Sequence, residues 1–244
     1  MPIKSAARAA LQRVFKSHYY RQVARRLNLM AYHRVNLVLD VGANEGQFAL
    51  ELRRFGYKGR ILSFEPIASA FEKLSQRAAR DPLWTCEQVA LGDSDRQSEI
   101  NVSANTQSSS LIAMNPRLLE SAPETRFVRK ETVTVRRLDS VIPRVKRAQD
   151  VLYLKIDAQG FEKKVLDGAG DTLDDITGLQ VEVALVHLYD NATLFKDMLE
   201  YAEAREFFLM GLEPEFSDPH TGQLLETDCI FFRRRERKEA PSDG

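Results

Sequence analysis

The sequence predicts a single α/β domain with a mostly parallel sheet and helices on both faces. Two observations carry this. From residue 36 onward, strand-like apolar runs alternate with amphipathic helical stretches, the pattern of parallel strands joined by crossover helices. The first run, "NLVLDVG", also leads through Gly42 and Gly46 into a helix, the kind of turn that open parallel sheets use to bind ligands. At 244 residues, 43% hydrophobic and 29% charged, the chain has the size and composition of such a domain.

The elements follow in order. "QFALELRRFG" reads as a helix ending at Gly56, and "RILSFEP" as a second strand stopped by Pro66. "SAFEKLSQRAAR" is a second helix with Ser69 as its N-cap. "WTCEQVALGD" reads as a third strand. Residues 94–140 break the rhythm: "SEINVSA" and "ETVTVRRLDS" are strand-like around a loop rich in Ser, Asn and Pro, the mark of an irregular insert or lid. "DVLYLKIDAQG" is a buried strand, "FEKKVLDGAGDTL" a helix and "GLQVEVALVHL" another strand. "ATLFKDMLEYAEAREF" is a last helix, and "FFLMGLEPEF" and "ETDCIFFRR" are closing strands around a turn containing "DPHTG". The domain therefore spans 35–235, with 1–34 a helical extension and 236–244 a polar tail that frays.

Formal net charge is zero, so no overall field favours nucleic acid. Residues 1–35 are nonetheless basic and hold no acid. Leu11, Val14, Phe15, Tyr19, Val23, Leu27 and Met30 recur at helical spacing within them. The plainer reading is a helix packed on the domain; the sharper one is peripheral membrane or partner contact. Cys86 and Cys229 are the only cysteines, which is neither a disulfide framework nor a zinc site. With no secretory signal and no spanning run, a cytoplasmic protein is expected. The sequence leaves oligomeric state open.

The turn itself narrows the ligand. A dinucleotide site wants glycines spaced G-x-G-x-x-G, whereas this chain has "GANEG", with Asp40 before it and Glu45 inside it. Two acids are poor company for a pyrophosphate. They suit an amine and a sulfonium, as in S-adenosylmethionine. Gly42 is expected to let a ligand approach the backbone, and Gly46 to start the helix tight against the strand. Asn44 lies within the turn. Glu65 ends the second strand, where a carboxylate can accept from both ribose hydroxyls, followed by Pro66. "ALGD" places Ala90 and Asp93 near an adenine, although Gly-Asp is also ordinary turn chemistry.

In combination, "LDVGANEGQFA", "FEP", "ALGD", "LDS", "LKIDAQGFEKKVLDGA", "LQVEVALVHLYDNATLF" and "TDCIFF" resemble the FkbM-type methyltransferases over residues 35–233. The resemblance implies a Rossmann-like class I methyltransferase fold with an antiparallel last strand. It further implies S-adenosylmethionine as methyl donor and, as acceptor, a hydroxyl of a sugar, glycolipid, polyketide or other natural product. Gln159 departs from the acid frequent at that position, although glutamine also occurs in a branch of the family. His187 stands where that branch often has proline, so it inherits no role.

Methyl transfer to a hydroxyl is an in-line displacement that needs an aligned nucleophile and a proton acceptor. Asp157, closing "VLYLKID", leads; otherwise it caps the next helix or holds Lys155. Lys155 shares its strand face. Glu182, inside an apolar strand, is a base, an orienter or a satisfied structural carboxylate. His187 has a base's intrinsic pKa, although a lone histidine is more often structural or exposed. Asp157, Glu182, Asp190 and Asp228 could supply oxygen ligands, but no tight motif links them and no obligatory metal is expected. The "QSSS" loop, Ser108–Ser110, reads as loop composition ahead of a lid that binds a polar acceptor. Two rivals remain: a catalytically silent adenosylmethionine-binding regulatory protein and, against the glycine spacing, a nicotinamide dinucleotide oxidoreductase.

Overall fold

A computed structural model of the chain describes residues 5–234, with side chains from residue 19 onward. The expected frayed tail, 236–244, and the apolar positions before Tyr19 lie outside that description.

Ten strands and seven α-helices are formed among the described residues. They are α1 (Ser5–Tyr32), β1 (Leu37–Val41), α2 (Gln47–Arg54), β2 (Arg60–Phe64), α3 (Ala68–Ala78), β3 (Trp84–Glu87), β4 (Ala90–Gly92) and β5 (Arg96–Ser103). There follow α4 (Pro116–Ser121), β6 (Phe127–Arg137), α5 (Leu138–Val145), β7 (Leu152–Ile156), α6 (Glu162–Asp167), β8 (Ile176–Ala184), α7 (Phe195–Glu203), β9 (Phe207–Pro214) and β10 (Glu226–Arg233).

Seven strands make the main sheet in the order β3-β2-β1-β7-β8-β10-β9. β3, β2, β1, β7 and β8 run parallel, and β10 lies antiparallel between β8 and β9. The mostly parallel sheet and its antiparallel last strand are thus as the sequence predicts. Strand order reverses between β1 and β7, so their carboxyl ends flank the switch-point crevice.

Alternation along the strands divides the core. Leu37, Leu39 and Val41 of β1, with Leu152, Leu154 and Ile156 of β7, pack against α5, α6 and α7. Val38 and Tyr153 face the other side, with Ala49 and Leu52 of α2, Leu74 and Ala78 of α3 and Met30 of α1. On that second face the carboxyl ends turn polar: Asp40, Lys155 and Gln180 are register partners and all are buried. α1 lies over this polar end, with Val23, Arg26 and Met30 buried.

Two expectations, the single third strand and the Ser69 cap, are corrected. "WTCEQVALGD" is two strands, because β4 leaves the main sheet and pairs with β6. The two strand-like stretches of 94–140 are β5 and β6, which form a long antiparallel pair around a connection between Ser103 and Phe127 that carries α4. Ser69 does not cap α3. Ile67 holds that position, and carboxylates supply the capping, Glu65 accepting from Ile67 N–H at 2.8 Å and Glu131 from Ala68 N–H at 3.2 Å.

Leu154 is fully buried at the centre of β7. Leu154→Ala should therefore destabilise the domain by about 2–5 kcal/mol, read as a lower urea midpoint with an unchanged slope.

Candidate active site

Two cavities meet at the switch point. The smaller, about 540 Å³, is lined by Gly42, Asn44, Glu65, Pro66, Ala90 and Asp157, with apolar walls from Val89, Leu91, Leu111 and Phe161. The larger, about 1750 Å³, lies under α1 and is lined among others by Lys155, Asp157, Gln159 and Glu182. Gly42, Asn44, Gln107, Asp157 and Gln159 border both.

The turn after β1 is held by its own backbone and by Glu65. Gly42 has φ +73°, and a Cβ there would lie 1.7 Å from the Asp157 carbonyl oxygen. Its bareness therefore admits the β7 loop, and its backbone still borders both cavities. A Cβ on Gly46 would meet the Trp84 ring at 2.7 Å, so Gly46 does let α2 start tight. Asn44 donates its backbone N–H to Glu65 Oε2 at 2.8 Å and its side-chain amide to Thr106 of the insert at 3.2 Å.

Glu65 is only 4% exposed, with one carboxylate oxygen taken by Asn44 N–H and the other by Ile67 N–H. Each oxygen keeps a lone pair for a further donor. Burial pushes its pKa up to about 7 against the pull of those two bonds.

Asp40 lies beneath the site and lines neither cavity. It is fully buried, accepting from Ser63 Oγ at 3.0 Å, and its other oxygen lies 3.9 Å from Lys155 Nζ. Burial raises its pKa against the attraction of Lys155. Lys155 in turn donates to Asp157 at 3.2 Å. Burial opposes the ammonium's charge, but Asp157 and Asp40 outweigh that and hold it above its ordinary range.

Asp157 is therefore a partner of Lys155 and not a helix cap. The cap-like bonds go to Glu162, which accepts from Ala158 N–H at 3.0 Å and Gly160 N–H at 2.9 Å. Gln159, in the left-handed region at φ 53°, bridges the acids, donating to Asp157 at 2.8 Å and to Glu182 at 2.6 Å. Burial resists Asp157's ionisation, yet Lys155 and Gln159 prevail and its pKa is lowered. Burial and the charge of Asp157 push Glu182 well above the carboxylate range. Of the pair, Asp157 is thus the readier to ionise.

Besides Asp40 and Gly46, the residues Asp93, His187 and Glu45 line neither cavity. Asp93 is tied to Lys164 and Arg96, each at 2.9 Å, and Lys164 chiefly draws its pKa down to about 2. It sits at the surface end of β4 and borders neither cavity. His187 is exposed in the loop beyond β8, away from both cavities. Glu45, expected to face a cationic ligand, is turned onto α3 by Lys73 at 2.6 Å and Arg77 at 3.1 Å.

The sequence reading singled out neither Arg26 nor Tyr189 for the site. Arg26 of α1 is buried against Glu51 and, at 3.4 Å, Glu213. The serine loop does close on the site, Ser110 donating to the Gln159 carbonyl at 2.6 Å, while Tyr189 donates to the Gln159 side chain at 2.6 Å. Of the acids considered for metal, Asp228 alone joins a close group, with Glu213 and Glu215. The alternations Glu213-x-Glu215 and Glu226-x-Asp228 in strand-like runs were the available signal.

Residues 40–209 match the model of the Methyltransferase FkbM domain, and the chain belongs to that family of methyltransferases. Its cofactor is S-adenosylmethionine. The chain is similar to Methyltransferase 1 of Beauveria bassiana (strain ARSEF 2860), 24% identical over 198 residues, covering 75% of this chain and 77% of that protein. A methyltransferase candidate of Thermobifida fusca YX superposes with a TM-score of 0.50 at 11% identity, covering 88% of this chain and 80% of that one. TrmK of M. capricolum, solved with S-adenosylhomocysteine, gives 0.44 at 9% identity, covering 86% and 68%. The Thermobifida likeness supports the Rossmann-like class I fold.

Lys155→Met leaves Asp40 and Asp157 facing each other without their cation. The variant should lose about 3–5 kcal/mol near neutral pH. Carboxylates with raised folded pKa values stay protonated where the unfolded chain has released its protons, so the loss should shrink as pH falls toward 5. Urea melts at two pH values check this.

Proposed function

We propose that the protein transfers the methyl of S-adenosylmethionine to a hydroxyl of a small acceptor, with the adenosine in the smaller cavity and the acceptor in the larger. The observation that carries this is the place of Asp157, fixed between Lys155 and Gln159 on the rim common to both cavities. A methyl passing from one ligand to the other crosses that rim.

Glu65 takes the ribose hydroxyls on its two free lone pairs, and Asn44 and Ile67 keep its carboxylate aimed. Val89, Ala90, Leu91 and Phe161 sandwich the adenine, beside Pro66. Asp40 acts from beneath, through Lys155. The acceptor hydroxyl hydrogen-bonds to ionised Asp157, which aligns its lone pair with the methyl. Bound S-adenosylmethionine would supply the methyl, its S–CH3 bond breaking to leave S-adenosylhomocysteine as the acceptor's C–O bond forms, and the proton of the acceptor oxygen would pass to Asp157. A carboxylate of lowered pKa suffices, because a protonated ether is a far stronger acid than a carboxylic acid.

Acids dominate the larger cavity, with Arg26 and Lys155 as its basic residues. Such a lining repels a phosphate backbone. This supports a sugar, glycolipid or other hydroxylated natural product over nucleic acid. The free cysteines, Cys229 buried and Cys86 partly so, fit a reducing cytoplasm.

Glu65→Ala should weaken adenosylhomocysteine binding by about 1–3 kcal/mol in calorimetry. Equal affinity would remove Glu65 from the ribose site. Because the ribose needs ionised Glu65, wild-type affinity should fall roughly tenfold per pH unit below about 7 and level off above it. Glu65→Gln should flatten that dependence. Asp157→Asn should keep cofactor affinity and lose turnover by about 10²–10⁴-fold with a labelled methyl donor; wild-type turnover would make Asp157 structural.

A further inference from the structure

β9 and β10 carry acids at alternate positions, so that they share one face. Asp228 of β10 is the register partner of Glu213 on β9 and of Glu182 on β8. Glu215 follows two residues beyond Glu213, its backbone N–H bonded to the Glu226 carbonyl at 3.1 Å. One carboxylate oxygen each from Glu213, Glu215 and Asp228 lie within 4.8 Å of one another. Three carboxylates so close repel unless positive charge stands among them.

The chain supplies little of it. Lys155 pairs with Asp40 and Asp157 and reaches Asp228 only as a more distant charge, and of the three acids Arg26 pairs with Glu213 alone, at 3.4 Å. Asp228 accepts from the neutral Gln180 amide at 2.6 Å. A separate observation comes from Glu226, two residues before Asp228. It is 9% exposed and borders the larger cavity, and its carboxylate makes no hydrogen bond or ion pair among the described residues. A buried carboxylate without a donor is costly, and Glu226 meets open space at the larger cavity.

We propose that Glu213, Glu215 and Asp228 bind a hard divalent cation at the acid end of the larger cavity, with Glu226 beside it as a further ligand or as acceptor for its bound water. The donors are all oxygen, which selects Mg²⁺, Mn²⁺ or Ca²⁺ over zinc. Metal–oxygen bonds of about 2.1–2.5 Å put ligand oxygens at most about 4–5 Å apart, and the three oxygens lie within that limit. The ion's remaining positions open toward the cavity. Resting on the methyl-transfer reading, hydroxyls of an acceptor in the same cavity fill them.

The test titrates the purified full-length chain, after chelator treatment, with Mn²⁺ and follows free Mn²⁺ by electron paramagnetic resonance, with Mg²⁺ and Ca²⁺ as competitors. One saturable site per chain is expected, weakened at least tenfold in Glu215→Gln and in Glu226→Gln. Glu215 is exposed, so its variant should fold, checked by an unchanged melting temperature without metal. No saturable binding of any of the three ions, or wild-type binding by both variants, overturns the site. Metal binding is read without cofactor or acceptor, so its failure is separate from that of the methyl-transfer reading, which the adenosylhomocysteine titration tests.

Discussion

An ammonium shut inside a sheet has to be matched by charge, and Lys155 is matched from two sides: Asp40 on β1 beneath it and Asp157 after β7 above it. The parallel register of β1 and β7 makes Asp40 and Lys155 neighbours, so the pairing is set by the strand ladder. The same lysine keeps Asp157 ionised at the cavity rim. Ser63 extends the arrangement laterally, donating to Asp40 and accepting from the Trp84 indole at 3.0 Å. The site is thereby anchored through the central strands, and its flanking loops are placed by them.

Segments outside the parallel strands then close the crevice. α1 brings Arg26 over Glu51 and Glu213 and roofs the larger cavity. The insert supplies Thr106 to Asn44 and Ser110 to Gln159. Tyr189, from the loop after β8, holds Gln159 from the far side. Gln159 consequently ties together the two cavity acids, the insert and the β8 loop. An acid at that position would face Asp157 and Glu182 with like charge and no amide hydrogens to bridge them, so glutamine is the residue this acid-rich setting calls for.

The strand–helix alternation made the fold legible, because parallel strands buried on both faces write themselves as apolar runs. Glu65, Pro66, Asp157, Lys155 and Glu182 were legible for a related reason: polar groups at or near the carboxyl ends of such runs have few places to point. The reading failed where sequence is blind to partners. Asp93 and Glu45 both obey turn and motif rules, yet Lys164, Lys73 and Arg77 come from helices elsewhere in the fold and, with Arg96 three residues from Asp93, turn them away from the cavities. "WTCEQVALGD" reads as one run, and only the competing ladder of β6 divides it. The acids of β9 and β10 gather because two antiparallel strands set them side by side, a register that neither stretch announces alone.

The central claim is that a nucleoside lies on Glu65 and points its sulfur toward Asp157. A crystal structure with S-adenosylhomocysteine tests it most directly. Both ribose hydroxyls are expected on the Glu65 carboxylate, the base between Val89–Leu91 and Phe161, and the sulfur turned toward the Asp157 rim. A ribose bound away from Glu65, or a sulfur directed away from Asp157, would contradict it.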